Sequence, residues 1–264
     1  MDYCRSRKYS PELIRAKIMG PNPLKLDEEL LKDISLPPAS TIMDLGCGQG
    51  ITSVFLAKEY GFRVFATDLW SSPGENMRFF IKMGLNSRSI IPIHADATAL
   101  PYAEEFFDAV VCTDAYNYFG RDPAYLCGHL LPLVKHGGLI CIAVPGMKKD
   151  CHDRLPPELL VSWTPEQLDY IHDLPYWRNI IEASRQADSP GSIPAETQAP
   201  WSDSASAGPA PDFELLSITE MEGNEEVWHD WIECDNDYAR GDRKAVEAGA
   251  CRYLNFISII IRRK

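Results

Sequence analysis

The ten residues from Thr41 to Gly50 read Thr-Ile-Met-Asp-Leu-Gly-Cys-Gly-Gln-Gly, with glycines at 46, 48 and 50 directly after a short apolar stretch. Such a turn lets a ligand lie against backbone, because glycine carries no β-carbon and tolerates positive φ. A helix beginning at Ile51 then aims its free N–H groups at that ligand. Asp44 narrows the chemistry: a carboxylate there repels a pyrophosphate and suits a cationic amino group. The dinucleotide fingerprint needs a third glycine where Ile51 stands, and no Lys-Ser or Lys-Thr follows as a phosphate-binding loop requires. Asp68 closes the next apolar stretch, at the distance where a carboxylate accepts both hydroxyls of a ribose. These features imply a nucleoside without a leading phosphate. Cys47 reads as a small filler of the turn, in a position where a helix N-terminus is expected to lower a thiol pKa.

Asp-Leu-Gly-Cys-Gly-Gln-Gly followed by Ala-Thr-Asp-Leu-Trp resembles the class I S-adenosylmethionine-dependent methyltransferases. Ile-Pro-Ile-His-Ala-Asp-Ala (91–97) is similar to their third-strand motif, Phe-Phe-Asp-Ala-Val-Val-Cys-Thr-Asp-Ala (106–115) to their fourth strand, and Leu131 to Val144 to the approach to the fifth. Pro-Tyr-Trp-Arg (175–178) and the stretch 248–254 resemble a bacterial, type 11-like subgroup acting on small molecules. The resemblance implies a Rossmann-like, doubly wound α/β fold: a seven-stranded, mostly parallel sheet, helices on both faces and the last strand antiparallel. It also implies S-adenosylmethionine as cofactor and S-adenosylhomocysteine as product. The implied cofactor contacts are Asp44, Gly46, Cys47, Gly48, Gly50, Asp68, Leu69, Asp96 (at the adenine amino group), Ala97 and Asp114.

Methyl transfer from a sulfonium gains most of its rate from alignment and exclusion of water, so the chain needs at most a base to keep the acceptor nucleophilic. Tyr116, in the segment after the fourth strand, and His152, past the fifth, are the candidates. Tyr118, Trp177, Trp228 and His229 are the candidate acceptor contacts, with aromatic rings able to face a cation. His94 reads as structural, and His129 and His136 carry no signal. Two other readings stay open: an NAD(P)-dependent oxidoreductase on the same sheet, and a non-catalytic S-adenosylmethionine-binding protein.

The elements that must position these residues can be read from pattern. Ser10-Pro11-Glu12 is a helix start, and a second helix is expected over 24–33, its Asp27-Glu28-Glu29 forming a solvated first turn. Core strands are expected over 41–45, 62–67, 90–94, 109–113 and 139–144, apolar on both faces as in a covered parallel sheet, and then over 213–220 and 253–262. Thr164-Pro165-Glu166-Gln167 is a capping box. Pro175 is expected to interrupt a helix that resumes over 176–187, and the Ser/Pro/Ala-rich stretch 188–212 reads as a flexible loop. The organisation is thus an N-terminal helical cap (1–36), a cofactor-binding core (37–144), a substrate-covering insertion (145–212) and strands completing the sheet (213–264).

Composition excludes more than it selects. At 264 residues the chain can bury one substantial core. A formal net charge of −12 argues against nucleic acid. Eight cysteines without a Cys-x-x-Cys pair read as reduced thiols rather than a disulfide framework or a metal site. No membrane span or signal core is evident, so a cytoplasmic location, no membrane partner and a small-molecule methyl acceptor are expected. Oligomeric state is not encoded in any of these features.

Overall fold

The computed structural model describes residues 2–187 and 212–264; the Ser/Pro/Ala-rich stretch 188–211 lies outside them. Among the described residues eight strands form one sheet: β1 (Thr41–Leu45), β2 (Arg63–Asp68), β3 (Ile90–His94), β4 (Phe107–Thr113), β5 (Val134–Met147), β6 (His172–Asp173), β7 (Phe213–Glu220) and β8 (Leu254–Arg263). The order is β3-β2-β1-β4-β5-β8-β7, with the two-residue β6 added beside the end of β5. β8 runs antiparallel between β5 and β7, and the β1 to β5 pairings are parallel. The expected doubly wound sheet is therefore present, with β6 as the strand the sequence did not announce.

The helices are α1 (Pro11–Arg15), α2 (Pro23–Leu30), α3 (Ile51–Glu59), α4 (Pro73–Lys82), α5 (Pro123–Tyr125), α6 (Pro157–Leu160), α7 (Pro165–Leu168), α8 (Leu174–Ala183), α9 (Asn224–Ile232) and α10 (Asp237–Ala248). Alternate strand residues enter two cores. Ile42, Val111, Cys141 and Phe256 face the side of α2, α3 and α9, whereas Met43, Val110, Ile142 and Ile259 face Tyr116, Trp177 and Phe213. Both faces are covered, as the unbroken apolar strands demand.

Capping follows local chemistry. Ser10 accepts from the Leu13 N–H, and Thr164 and Gln167 form both halves of the capping box. Pro175 does not interrupt a helix: it sits in the first turn of α8, where Asp173 caps Tyr176 and a missing N–H costs nothing. Asp27, Glu28 and Glu29 are not solvated either, and they lie beyond the first turn of α2. Glu28 accepts the N–H groups of Arg5 and Ser6, Glu29 those of Glu222 and Gly223, and Asp27 the Thr113 hydroxyl. Buried carboxylates persist where such donors replace water, and these fasten the N-terminal segment and the start of α9 to α2.

Candidate active site

The strand order reverses between β1 and β4, so the loops leaving their carboxyl ends diverge and open a crevice. The turn after β1 is held from two sides. Gly46 and Cys47 donate to the Thr67 carbonyl, and Gly48 N–H donates to Asp68 Oδ2 at 2.9 Å. Gly50 has φ +82°, and a β-carbon there would meet the Phe80 ring at 2.5 Å, so α3 can begin only on a glycine. The other Asp68 oxygen accepts from Trp70 and Ser71 N–H at 2.8 and 2.7 Å. Asp96 Oδ1 accepts from the Thr98 N–H and hydroxyl, which hold its carboxyl below the usual range, with Oδ2 left for a ligand.

These elements enclose a cavity of about 400 Å³, lined on the remaining side by the segment 17–21 ahead of α2. Its charged residues are Asp68, Asp96, Asp114 and Lys17. A backbone cradle without β-carbons, a helix N-terminus and Lys17 for a carboxylate, and three carboxylates for ammonium and diol groups fit an amino-acid-bearing nucleoside with a sulfonium. The volume lies within the ordinary range for small-ligand sites, about 300–1,000 Å³.

A second cavity of about 660 Å³ shares Met19, Gly20, Pro21, Asp114 and Tyr118 with the first. Asp114 stands in the common wall with φ +57°, a strained backbone for a non-glycine residue. Gly20 lies so close that a β-carbon on it would sit 2.3 Å from Asp114 Oδ2. Burial pushes the Asp114 carboxyl from its ordinary value up to about 7, with the Asp242 charge adding to the effect. Across the cavity, Trp163 and Trp231 each donate an indole N–H to one oxygen of Asp242, both at 2.8 Å. Trp163 and Trp228 rings lie 5.7 Å apart, and Tyr118 and Tyr170 rings 5.6 Å apart.

Residues 42–138 match a family model described as a methyltransferase domain. The sheet has the fold of the class I S-adenosylmethionine-dependent methyltransferases. Among curated relatives, 2-methyl-6-phytyl-1,4-hydroquinone methyltransferase of Synechocystis sp. is 36% identical over 111 residues, which are 41% of this chain and 33% of that protein. Phosphoethanolamine N-methyltransferase 1 of Zea mays is 25% identical over 44% of this chain and 23% of its own length. The chain thus spans a third or less of these two relatives. Among solved structures, geranyl diphosphate C-methyltransferase of Streptomyces coelicolor A3(2) superposes with a TM-score of 0.63 at 13% identity, over 90% of this chain and 79% of that one.

Within the methyltransferase fold, Gly46, Cys47, Gly48, Asp68, Leu69, Asp96, Ala97 and Asp114 line the first cavity. Asp44 and Gly50 lie behind it. Asp44 is buried beneath the turn, accepts the Thr52 and Ser53 hydroxyls at 2.6 and 2.5 Å, and is pushed up to about 6 by burial, which those bonds partly offset. The Cys47 thiol is raised by burial and by Asp44 and Asp68, the opposite of what its place near a helix N-terminus suggests. Tyr118 and Trp228 line the second cavity.

Four expected residues lie elsewhere. Tyr116 and Trp177 are fully buried in the core on the far face of the sheet, packed ring to ring, because the turn after β4 sends Tyr116 inward and Tyr118 outward. His152 has both ring nitrogens engaged, by Asp150 at 2.6 Å and the Leu168 carbonyl at 3.1 Å; burial opposes its charge, but these partners raise its pKa on balance. His229 is exposed on the outer side of α9. The sequence reading missed the segment 17–21, whose Gly20-Pro21 turn was its only signal. It also missed Asp242 and Asn255, which no local pattern joins to the rest of the second cavity.

Proposed function

We propose that this chain transfers a methyl group from S-adenosylmethionine to a small-molecule acceptor by in-line displacement. The observation that carries this is the pair of cavities sharing one wall: one has the cofactor turn, the other opens beside it, and Asp114 faces both. The cofactor supplies a methyl group already activated on a sulfonium. The chain supplies orientation and a site screened from water by the segment 17–21 and by residues 162–171 of the insertion. Asp68, Leu69, Asp96 and Ala97 are proposed to hold the nucleoside, and Gly46, Cys47 and Gly48 the amino-acid portion. Asp114 replaces Tyr116 and His152 as the group placed to accept a proton from an acceptor that loses one, and a carboxyl near 7 suits that role at neutral pH.

The division into cap, cofactor core, covering insertion and closing strands is part of this proposal, as is membership of the type 11-like subgroup. Among the described residues no helix is long and apolar enough to cross a membrane. The test is incubation with labelled S-adenosylmethionine and a cell extract, followed by identification of the labelled product by mass. A labelled metabolite supports methyl transfer. Tight cofactor binding without product across a broad metabolite panel leaves only a binding protein, and saturable absorbance changes with NAD(P) in place of S-adenosylmethionine binding overturn the cofactor assignment.

A further inference from the structure

The second cavity carries a charge pattern that selects an acceptor. Its lining holds four carboxylates, those of Asp114, Glu166, Asp237 and Asp242, and among the described residues no Lys, Arg or His. The stretch 188–211 contains no Lys, Arg or His, so it adds no positive charge. Arg121, beside the cavity, lies over the Tyr170 ring and is bonded to Asp169 at 3.0 Å. Asp237 is paired with Arg240 on the surface, whereas among the described residues Asp242 is bonded to the two indoles alone, which fix its carboxyl and partly offset the upward push of burial on its pKa. Tyr118, Trp163, Tyr170 and Trp228 supply ring surface around the same space.

A second, independent observation marks the cavity as built for a ligand. Asn117 and Asn255, each 2% exposed, line it, and among the described residues Asn117 Oδ1, both amide atoms of Asn255 and the Trp228 indole N–H have no partner. Buried polar atoms without partners are costly, because they have lost water and gained nothing in its place, a cost that a ligand hydrogen-bonding there removes. An acceptor bearing phosphate or carboxylate would bring negative charge against carboxylates with no cation to meet it. A cationic amine finds the opposite: a fixed carboxylate, π-faces, and amide oxygens for an N–H or hydroxyl.

Resting on the methyl-transfer reading for the purpose of the site, we infer that the acceptor cavity takes a small organic cation, an alkylated amine without an anionic group, held by Asp242 within the ring of aromatic side chains. Binding in the absence of S-adenosylmethionine tests this on the intact protein by calorimetry and tryptophan fluorescence. The probes are choline, 2-dimethylaminoethanol, the neutral carbon isostere 3,3-dimethylbutan-1-ol, and phosphocholine. The expected result is that choline and 2-dimethylaminoethanol bind at least tenfold more tightly than the isostere and phosphocholine. Asp242→Asn should erase most of that preference while changing isostere affinity less than twofold.

Equal affinity for choline and the isostere, tighter binding of phosphocholine, or no binding of either cation overturns the inference. The wild-type ligand series involves no substitution, so misfolding of the Asp242 variant does not rescue it. S-adenosylmethionine affinity measured in parallel separates the two readings. Cofactor binding without cation binding overturns the acceptor class alone, and cation binding without cofactor binding supports this inference while overturning methyl transfer.

Discussion

The two cavities are neighbours but are assembled in different ways. The first is made at strand ends: Gly46 to Gln49 follow β1, Asp68 to Trp70 close β2 and begin the next loop, Asp96 to Thr98 follow β3 and Asp114 follows β4. The Asp68 and Asp96 carboxylates are fixed within their own loops or by the adjacent turn, as in the Asp68 bonds to Gly48, Trp70 and Ser71. The second has no such local framework. Asp242 on α10 is held by Trp163, 79 residues earlier, and by Trp231 on α9, and Asn117 and Asn255 come from after β4 and from β8, far apart in the chain. A cofactor site built on a rigid sheet edge can serve many acceptors, whereas a site made by packing helices against one another changes with every insertion.

If the contrast holds, substitutions in the strand-end loops should damage one cavity and leave the other. The largest effect is expected for Gly50→Ala, which forces a β-carbon into the Phe80 ring at positive φ. A stability loss of about 2–4 kcal/mol should appear as a lower urea midpoint, and a midpoint within error of wild type would remove the steric account of the turn. Asp68→Ala comes next. It deletes the acceptor of Gly48, Trp70 and Ser71 N–H groups together with the proposed diol contact. Calorimetry should show S-adenosylmethionine affinity down by about 1.5–3 kcal/mol with choline affinity unchanged; unchanged cofactor affinity refutes the assignment.

Asp114, in the shared wall, sharpens the comparison through pH. Its folded-state pKa, about 7, lies above the ordinary 3.8, so the protonated form favours folding. That contribution is complete below about pH 4 and is lost as pH rises through 7. Relative to Asp114→Asn, the wild-type protein should therefore lose stability between pH 4 and 7, by on the order of 2 kcal/mol, because partial solvent access reduces the roughly 4 kcal/mol that three pH units represent. A flat difference across that window would show that Asp114 titrates normally. The smallest effect is expected at Asp96→Asn, exposed on the cleft wall: about a threefold loss of cofactor affinity and none of choline affinity.

Much of the fold and of the first cavity was legible in the chain. Apolar strands without alternation require a sheet covered on both faces, and a glycine turn followed by an apolar helix is a complete local instruction. The acidic run Asp27 to Glu29 shows where legibility stops. Charge and a neighbouring helix start suggested a solvated turn, but those carboxylates are buried because backbone N–H groups from Arg5, Ser6, Glu222 and Gly223 arrive there from both ends of the chain. The same limit separated Tyr116 from Tyr118. Two residues of identical chemistry, two positions apart, end in different surroundings, one in the core and one in the cleft, and only the direction of the chain after β4 decides which sees the cleft.

The sequence by itself therefore determined the sheet, the turn and the carboxylates at the strand ends, since each depends on residues within a few positions of one another. Tertiary structure alone decided that Asp44 lies beneath the turn rather than in the cavity, and that Asp114 stands between two cavities. It also decided that the Asp242 carboxyl on α10 is held between the indoles of Trp163 and Trp231. These outcomes depend on which distant groups arrive to replace water around a carboxylate, and that is a property of packing.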